Sequence, residues 1–113
     1  MNLLIELNNL LDGLSIPVET GVFSGNAPEE YVVITPLVDT YELYADNRPE
    51  YETQEARLSL FTKGSYTQIK RQIEASLISL EIIVTDRRYI GHENDIGYHH
   101  YAIDVAKEYG LED

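Results

Sequence analysis

The sequence predicts an α+β domain: an antiparallel sheet of four to five strands, two helices packed on one face, and a protruding loop or hairpin. Three observations predict it. Leucines recur at helical spacing over the first fourteen residues, and a second helical stripe runs from Ile69 to Leu80. Between and after these stripes lie β-branched runs and strict apolar/polar alternation, the pattern of strands. Helices and a sheet that each have one apolar side bury them most economically against each other.

The elements follow in order. Leu3, Leu4, Leu7, Leu10, Leu11 and Leu14 form one stripe, with Gly13 near its end as a stop signal. After the Ile16-Pro17 break, Val18 to Phe23 reads as a short strand, and residues 24–29 as a loop of small and turn-forming residues. Tyr31-Val32-Val33-Ile34-Thr35 is a strand that Pro36 pushes towards its end or an edge, because proline cannot donate to the ladder. Ala56, Leu58 and Leu60 alternate with Arg57, Ser59 and Phe61, so Phe61 points away from the core. Ser65-Tyr66-Thr67-Gln68 reads as a capping box, and Ile69, Ile73, Leu77 and Leu80 share one face of the helix it opens. Ile82 to Ile90 and Tyr98 to Val105 read as two strands paired as a hairpin across residues 94–97.

The chain has 113 residues, the size of one domain, and its 43% hydrophobic and 25% charged content suits a single folded core. Twenty acidic residues against eight basic ones leave a formal charge of -12, which repels phosphate and argues against a sequence-independent grip on DNA. There is no cysteine, so a disulfide framework, a thiolate metal site and a cysteine nucleophile are all excluded. The first residues lack the basic and uninterrupted apolar regions of an export signal, and no apolar run approaches the ~20 residues of a membrane span.

Residues 39–55 break the core pattern. They carry Asp39, Glu42, Asp46, Glu50, Glu52 and Glu55 against Arg48 alone, with Tyr41, Tyr44 and Tyr51 interleaved. Unpaired carboxylates resist burial, so the segment is expected to protrude as an interaction loop or hairpin. Tyrosine offers a large contact area with one hydroxyl and is enriched at interfaces, which makes this segment the candidate docking element. The alternative is a solvated hairpin whose tyrosines lie back over their own domain.

The stretch Tyr41-Glu42-Leu43-Tyr44-Ala45-Asp46-Asn47-Arg48-Pro49, followed by Ala56-Arg57-Leu58-Ser59-Leu60-Phe61-Thr62-Lys63, resembles a family of small proteins of long-tailed phages and prophages. These are the tail-terminator, tail-completion and head–tail joining proteins. The Tyr-Ala-Asp-Asn element, the strand ending in Phe-Thr-Lys, the helix after it, and Arg88-Tyr89-Ile90 before a tyrosine-rich strand occur in the same order. The similarity spans most of the chain, with a compatible leading helix before Glu30. It implies a virion structural subunit in a hexameric ring that caps the tail tube and docks to the head connector, assembled in the bacterial host cytoplasm. The charge of -12 fits DNA only passing through such a lumen, and the lack of an apolar span and of a pocket or cofactor motif leads us to expect no membrane, small-molecule substrate or cofactor. Subunit contacts are expected at Tyr41, Tyr44, Asp46, Asn47, Arg48, Tyr51 and Phe61.

Chemistry has little foothold. His92, Glu93, Asp95, His99 and His100 are close in sequence, but on a strand His99 and His100 face opposite ways and cannot readily share one ion. No nucleophile elbow, phosphate-binding glycine loop or dinucleotide fingerprint is present, so no enzyme is expected. Arg87-Arg88 and Lys70-Arg71 are isolated basic pairs, expected to meet carboxylates of a neighbour. Two other functions compete: an acidic DNA-mimic inhibitor, which needs its acids on one continuous face, and a small-molecule-binding α+β domain, which needs a concave apolar pocket.

Overall fold

A computed structural model describes residues 2–20, 29–45, 48–93 and 97–110. Helix α1 (Leu3–Gly13) is followed by strands β1 (Val18–Thr20), β2 (Glu30–Ala45) and β3 (Arg48–Thr62), helix α2 (Tyr66–Ser79), and strands β4 (Ile83–Glu93) and β5 (Tyr98–Gly110). The five strands form one sheet in the order β1-β2-β3-β5-β4. The pairs β2–β3, β3–β5 and β4–β5 are antiparallel, while β1 joins β2 in parallel at Val18↔Val32 to Thr20↔Ile34. The protein is therefore α+β.

Each helix starts at a side-chain cap. Asn2 Oδ1 accepts from the Ile5 amide at 2.9 Å, and Ser65 Oγ accepts from the Thr67 amide at 3.4 Å, one residue short of the capping-box position at Gln68. The ends are built alike. The Ile16 amide donates to the Leu11 carbonyl and Ser15 to Asp12, and likewise Ile82 to Leu77 and Glu81 to Ile78. Both are Schellman closures, in which the residue after the cap takes a left-handed conformation. Here those residues are Ser15 at φ 59° and Glu81 at φ 61°. Gly13, expected to stop the helix, is instead its last residue. Leu80, expected on the buried stripe, caps α2 and is exposed, because the helix ends one residue before it.

Leu3, Leu7, Leu10 and Leu11 of α1 and Ile69, Ile73 and Leu77 of α2 meet Val32, Ile34, Ala56, Leu58, Leu60, Ile103 and Val105 in one buried cluster. Ile16 and Ile82, the residues just past the two helix closures, are buried in it too, so each closure is anchored by the core. These strand residues alternate along their strands, so both helices cover one face of the sheet. The other face carries Tyr31, Arg57, Ser59, Phe61, Tyr98, His100 and Asp104, by the same register.

Pro36 does not end β2. The strand passes through it with a bulge between Pro36 and Val38, and among the described residues the pairing of β1 with β2 runs from Val32 to Ile34, before the proline. The expected strand from Val18 is described only to Thr20. Phe23 and most of the loop at 24–29 lie outside the described residues, as does most of the β4–β5 turn.

Candidate assembly surface

The acidic tyrosine segment is a hairpin formed by the distal halves of β2 and β3. Their register runs without further shift from Val38↔Glu55 to Ala45↔Arg48. Strand β5 pairs with β3 only as far as Tyr51↔Gly110, and β4 pairs with β5 only as far as Ile83↔Ala106. Among the described residues the tip of the hairpin therefore extends past the rest of the sheet as a two-stranded arm. The molecule measures 55 × 25 × 23 Å, and its radius of gyration of 15.4 Å exceeds the ~13 Å of a compact chain of this length.

At the root of the arm, Leu3 of α1 donates its amide to Gln54 Oε1 at 2.8 Å, and Gln54 Nε2 donates to Glu52 at 3.2 Å. Towards the tip, Tyr41 is 58% exposed and Tyr51 is 40% exposed. Tyr41 pairs with Glu52 and Tyr51 with Glu42, so the two tyrosines stand on opposite faces of the arm. Tyr44 and Arg48 pair with Pro49 and Ala45 in the last rungs of the ladder. Asp46 and Asn47 lie outside the described residues.

Phe61 does not join this group. It sits ten residues further along β3, roughly 33 Å at strand rise. There it stacks on Tyr31 with ring centroids 4.9 Å apart and on His100 at 4.3 Å, with Tyr98 edge-on at 6.3 Å. The expected contact residues thus divide between the arm and an aromatic row on the sheet face opposite the helices. Alternation along β3 reveals that Phe61 faces outward, but not that its strand carries it to the other end of the molecule.

Each arginine of the Arg87-Arg88 pair engages a carboxylate of its own chain, and Lys70 lies over the rings of Tyr66 and Tyr101. Arg87 bonds Glu74 of α2 at 3.2 Å, and Arg88 bonds Asp86 two residues away on its own strand face. The hydrogen bond from Arg88 holds the Asp86 carboxyl below the usual range. Arg57 reaches Asp104 across β3 and β5 with two parallel bonds of 2.7 and 3.1 Å, and this carboxylate holds the guanidinium charged.

His99 and His100 face opposite sides of the sheet, as alternation requires. The structure adds a neighbour that sequence spacing hides: His92 pairs with His99 across β4 and β5, with ring centroids 4.5 Å apart. Tyr89 Oη lies 2.9 Å from His99 Nδ1, and Tyr66 packs between Tyr89 and Tyr101. Among the described residues no group of three or more histidine and carboxylate side chains is arranged to hold a metal ion.

The second notable surface is an open groove of about 680 Å³ between α2 and β4, lined by Ile78, Ile82, Ile83 and Val84 together with Glu74, Glu81 and Arg87. It adjoins β4, the outermost strand on that side. No helix among the described residues is long and apolar enough to cross a membrane. The chain matches no known family model, and no curated protein matches it.

Proposed function

We propose that this chain is a virion structural subunit of a long-tailed phage, a tail terminator or head–tail joining protein that acts as one member of a closed homomeric ring. The observation that carries the reading is the arm: an acidic hairpin whose tip extends past the sheet, with an exposed tyrosine on each face at its base, where β5 still pairs with β3. Its sequence also holds the Tyr-Ala-Asp-Asn element of the family resemblance. A protruding element of this kind supplies one half of a heterologous contact, and rings need two different complementary patches.

The ring is hexameric, caps the tail tube and meets the head connector. The charge of -12 suits a lumen through which DNA passes without adhering, since like charges disfavour phosphate contact. A DNA-mimic role fits less well, because Glu6, Glu74, Asp86 and Asp104 are tied up in ion pairs within the chain.

The test is microscopy and mass spectrometry of purified virions, with gene deletion alongside. The reading expects the protein at the head–tail junction, and defective tails or unjoined heads and tails without it. Infectious particles of normal form that lack the protein would overturn it.

A further inference from the structure

His92 and His99 face each other across β4 and β5. The register puts both on the side of the sheet that carries the helices, because the core residues Ile103 and Val105 stand on that side and alternate with His100 and Asp104. His100, one step further along β5, therefore turns to the opposite face, where it stacks on Phe61 at 4.3 Å. Two of the chain's three histidines thus share one rung, and the third is directed away from them.

Directly opposed side chains on antiparallel strands have Cβ atoms ~5 Å apart, close enough for two imidazoles to reach one ion. A metal–nitrogen bond of ~2.1 Å sets each ring centroid ~3.2 Å from the ion, so rings bound at a right angle have centroids ~4.5 Å apart, against ~5.2 Å at a tetrahedral angle. The observed separation is 4.5 Å. One ring is also oriented. Tyr89 Oη lies 2.9 Å from His99 Nδ1, and Tyr66 backs the rings of both at 5.4 and 6.1 Å. Metal-binding histidines give their other ring N–H to a partner of this kind, which fixes the tautomer. With Nδ1–H donating to Tyr89, Nε2 of His99 carries the lone pair. His92 is exposed on β4, the outermost strand, so the pair opens to solvent.

We infer that His92 and His99 form a binding site for a divalent late transition metal, Ni2+ or Cu2+ before Zn2+, with Tyr89 as the group that orients His99 and water in the remaining positions. Imidazole suits these ions, whereas Ca2+ and Mg2+ take oxygen ligands. The right angle favours the octahedral or tetragonal geometries of Ni2+ and Cu2+ over the tetrahedron of Zn2+. A chain of charge -12 also raises the local concentration of any cation. The bound ion ties the outermost strand to β5 near the turn that joins them. The site is independent of the ring reading.

The test is calorimetric titration of the intact chain with Ni2+ at neutral pH, in an excess of Mg2+ that occupies the surface carboxylates. One ion per chain should bind with Kd below about 100 µM. Tyr89→Phe should weaken binding about tenfold, and His92→Ala or His99→Ala by more, while His100→Gln should bind as the parent does. A thermal melt checks that each variant folds. A second measurement needs no variant: in the parent chain Ni2+ should shield His92 and His99 from diethyl pyrocarbonate and leave the rate at His100 unchanged. Equal affinity in the parent and in His92→Ala would place the ion on carboxylates or the terminal amine and overturn the site. So would the absence of binding up to about 1 mM, or a loss in His100→Gln as large as that in His92→Ala. Tighter binding of Zn2+ than of Ni2+ would overturn the right-angle geometry.

Discussion

The Tyr109 hydroxyl donates to the Glu6 carboxylate, fastening the last strand to the first helix across 103 positions of sequence. Lys107 Nζ donates to the other Glu6 oxygen at 2.9 Å and to the Leu80 carbonyl at 2.9 Å, so the end of α2 is tied into the same knot. Replacing Glu6 by Ala strands two donors in a partly buried site and should cost about 1–3 kcal/mol in urea denaturation. Tyr109→Phe should cost about 1 kcal/mol, and the double variant less than the sum. Strict additivity would show that the two groups do not interact.

The same knot predicts a pH dependence. Burial pushes the Glu6 carboxyl up, but hydrogen bonds from Tyr109 and Lys107 and the lysine charge outweigh it and hold the group below its ordinary 4.5. A depressed carboxylate contributes stability that is present above its unfolded value and lost as pH falls through the folded one. The loss of stability from neutral pH to below 4 should therefore be smaller in Glu6→Gln than in the parent chain. Equal losses would exclude the carboxylate as a source. On the alkaline side, burial and then the hydrogen bond to Glu6 raise the Tyr109 phenol above its ordinary 10.0. Its contribution is complete below that value and fades as pH rises through the folded one, so Tyr109→Phe should remove a late step from the ultraviolet titration of the tyrosines.

Both helix closures place a side chain where glycine is preferred. Ser15→Gly and Glu81→Gly should each raise stability by about 1 kcal/mol, because the left-handed conformation is disfavoured for other residues. Gly97, at φ 76°, is the converse case, and Gly97→Ala should lower stability by about 1–2 kcal/mol. Melting temperatures that move in the opposite directions would refute this account of the turns.

Leu58 is fully buried between the sheet and both helices. Leu58→Ala should cost about 2–5 kcal/mol in chemical denaturation, the range for a core cavity that its surroundings only partly refill. A cost below about 1 kcal/mol would mean that the site collapses around the smaller residue.

Tyr44→Ala and Arg48→Glu change the arm near its tip and should leave the melting temperature within a few degrees of the parent while impairing particle assembly. Normal infectious particles from both variants would remove the tip as a contact.

The candidate surface is only partly visible in the sequence. The acidity and tyrosine content of residues 39–55 mark a segment unsuited to burial, and its protrusion follows from the cost of burying carboxylates. Its strand character is hidden because Pro36 interrupts the β-branched run, and the strand continues past that proline through the bulge between Pro36 and Val38. The groove of Ile78 and Ile83 leaves no local mark either. Ile78 stands beside the buried Ile69, Ile73 and Leu77 stripe of α2, and Ile83 opens β4 opposite Ala106, on the side of the strand away from the helices.

By itself, the sequence determined the two amphipathic helices, the alternating strand that contains Leu58, the C-terminal hairpin and the α+β class, because each of these is written in a short-range period. Only the tertiary structure decided that β1 runs parallel to β2, that His92 meets His99, that Arg87 and Arg88 find carboxylates of their own chain, and that Phe61 stands far from the arm. These relations depend on which strand lies next to which and in what register, a choice made by burying the whole core at once rather than by any one segment.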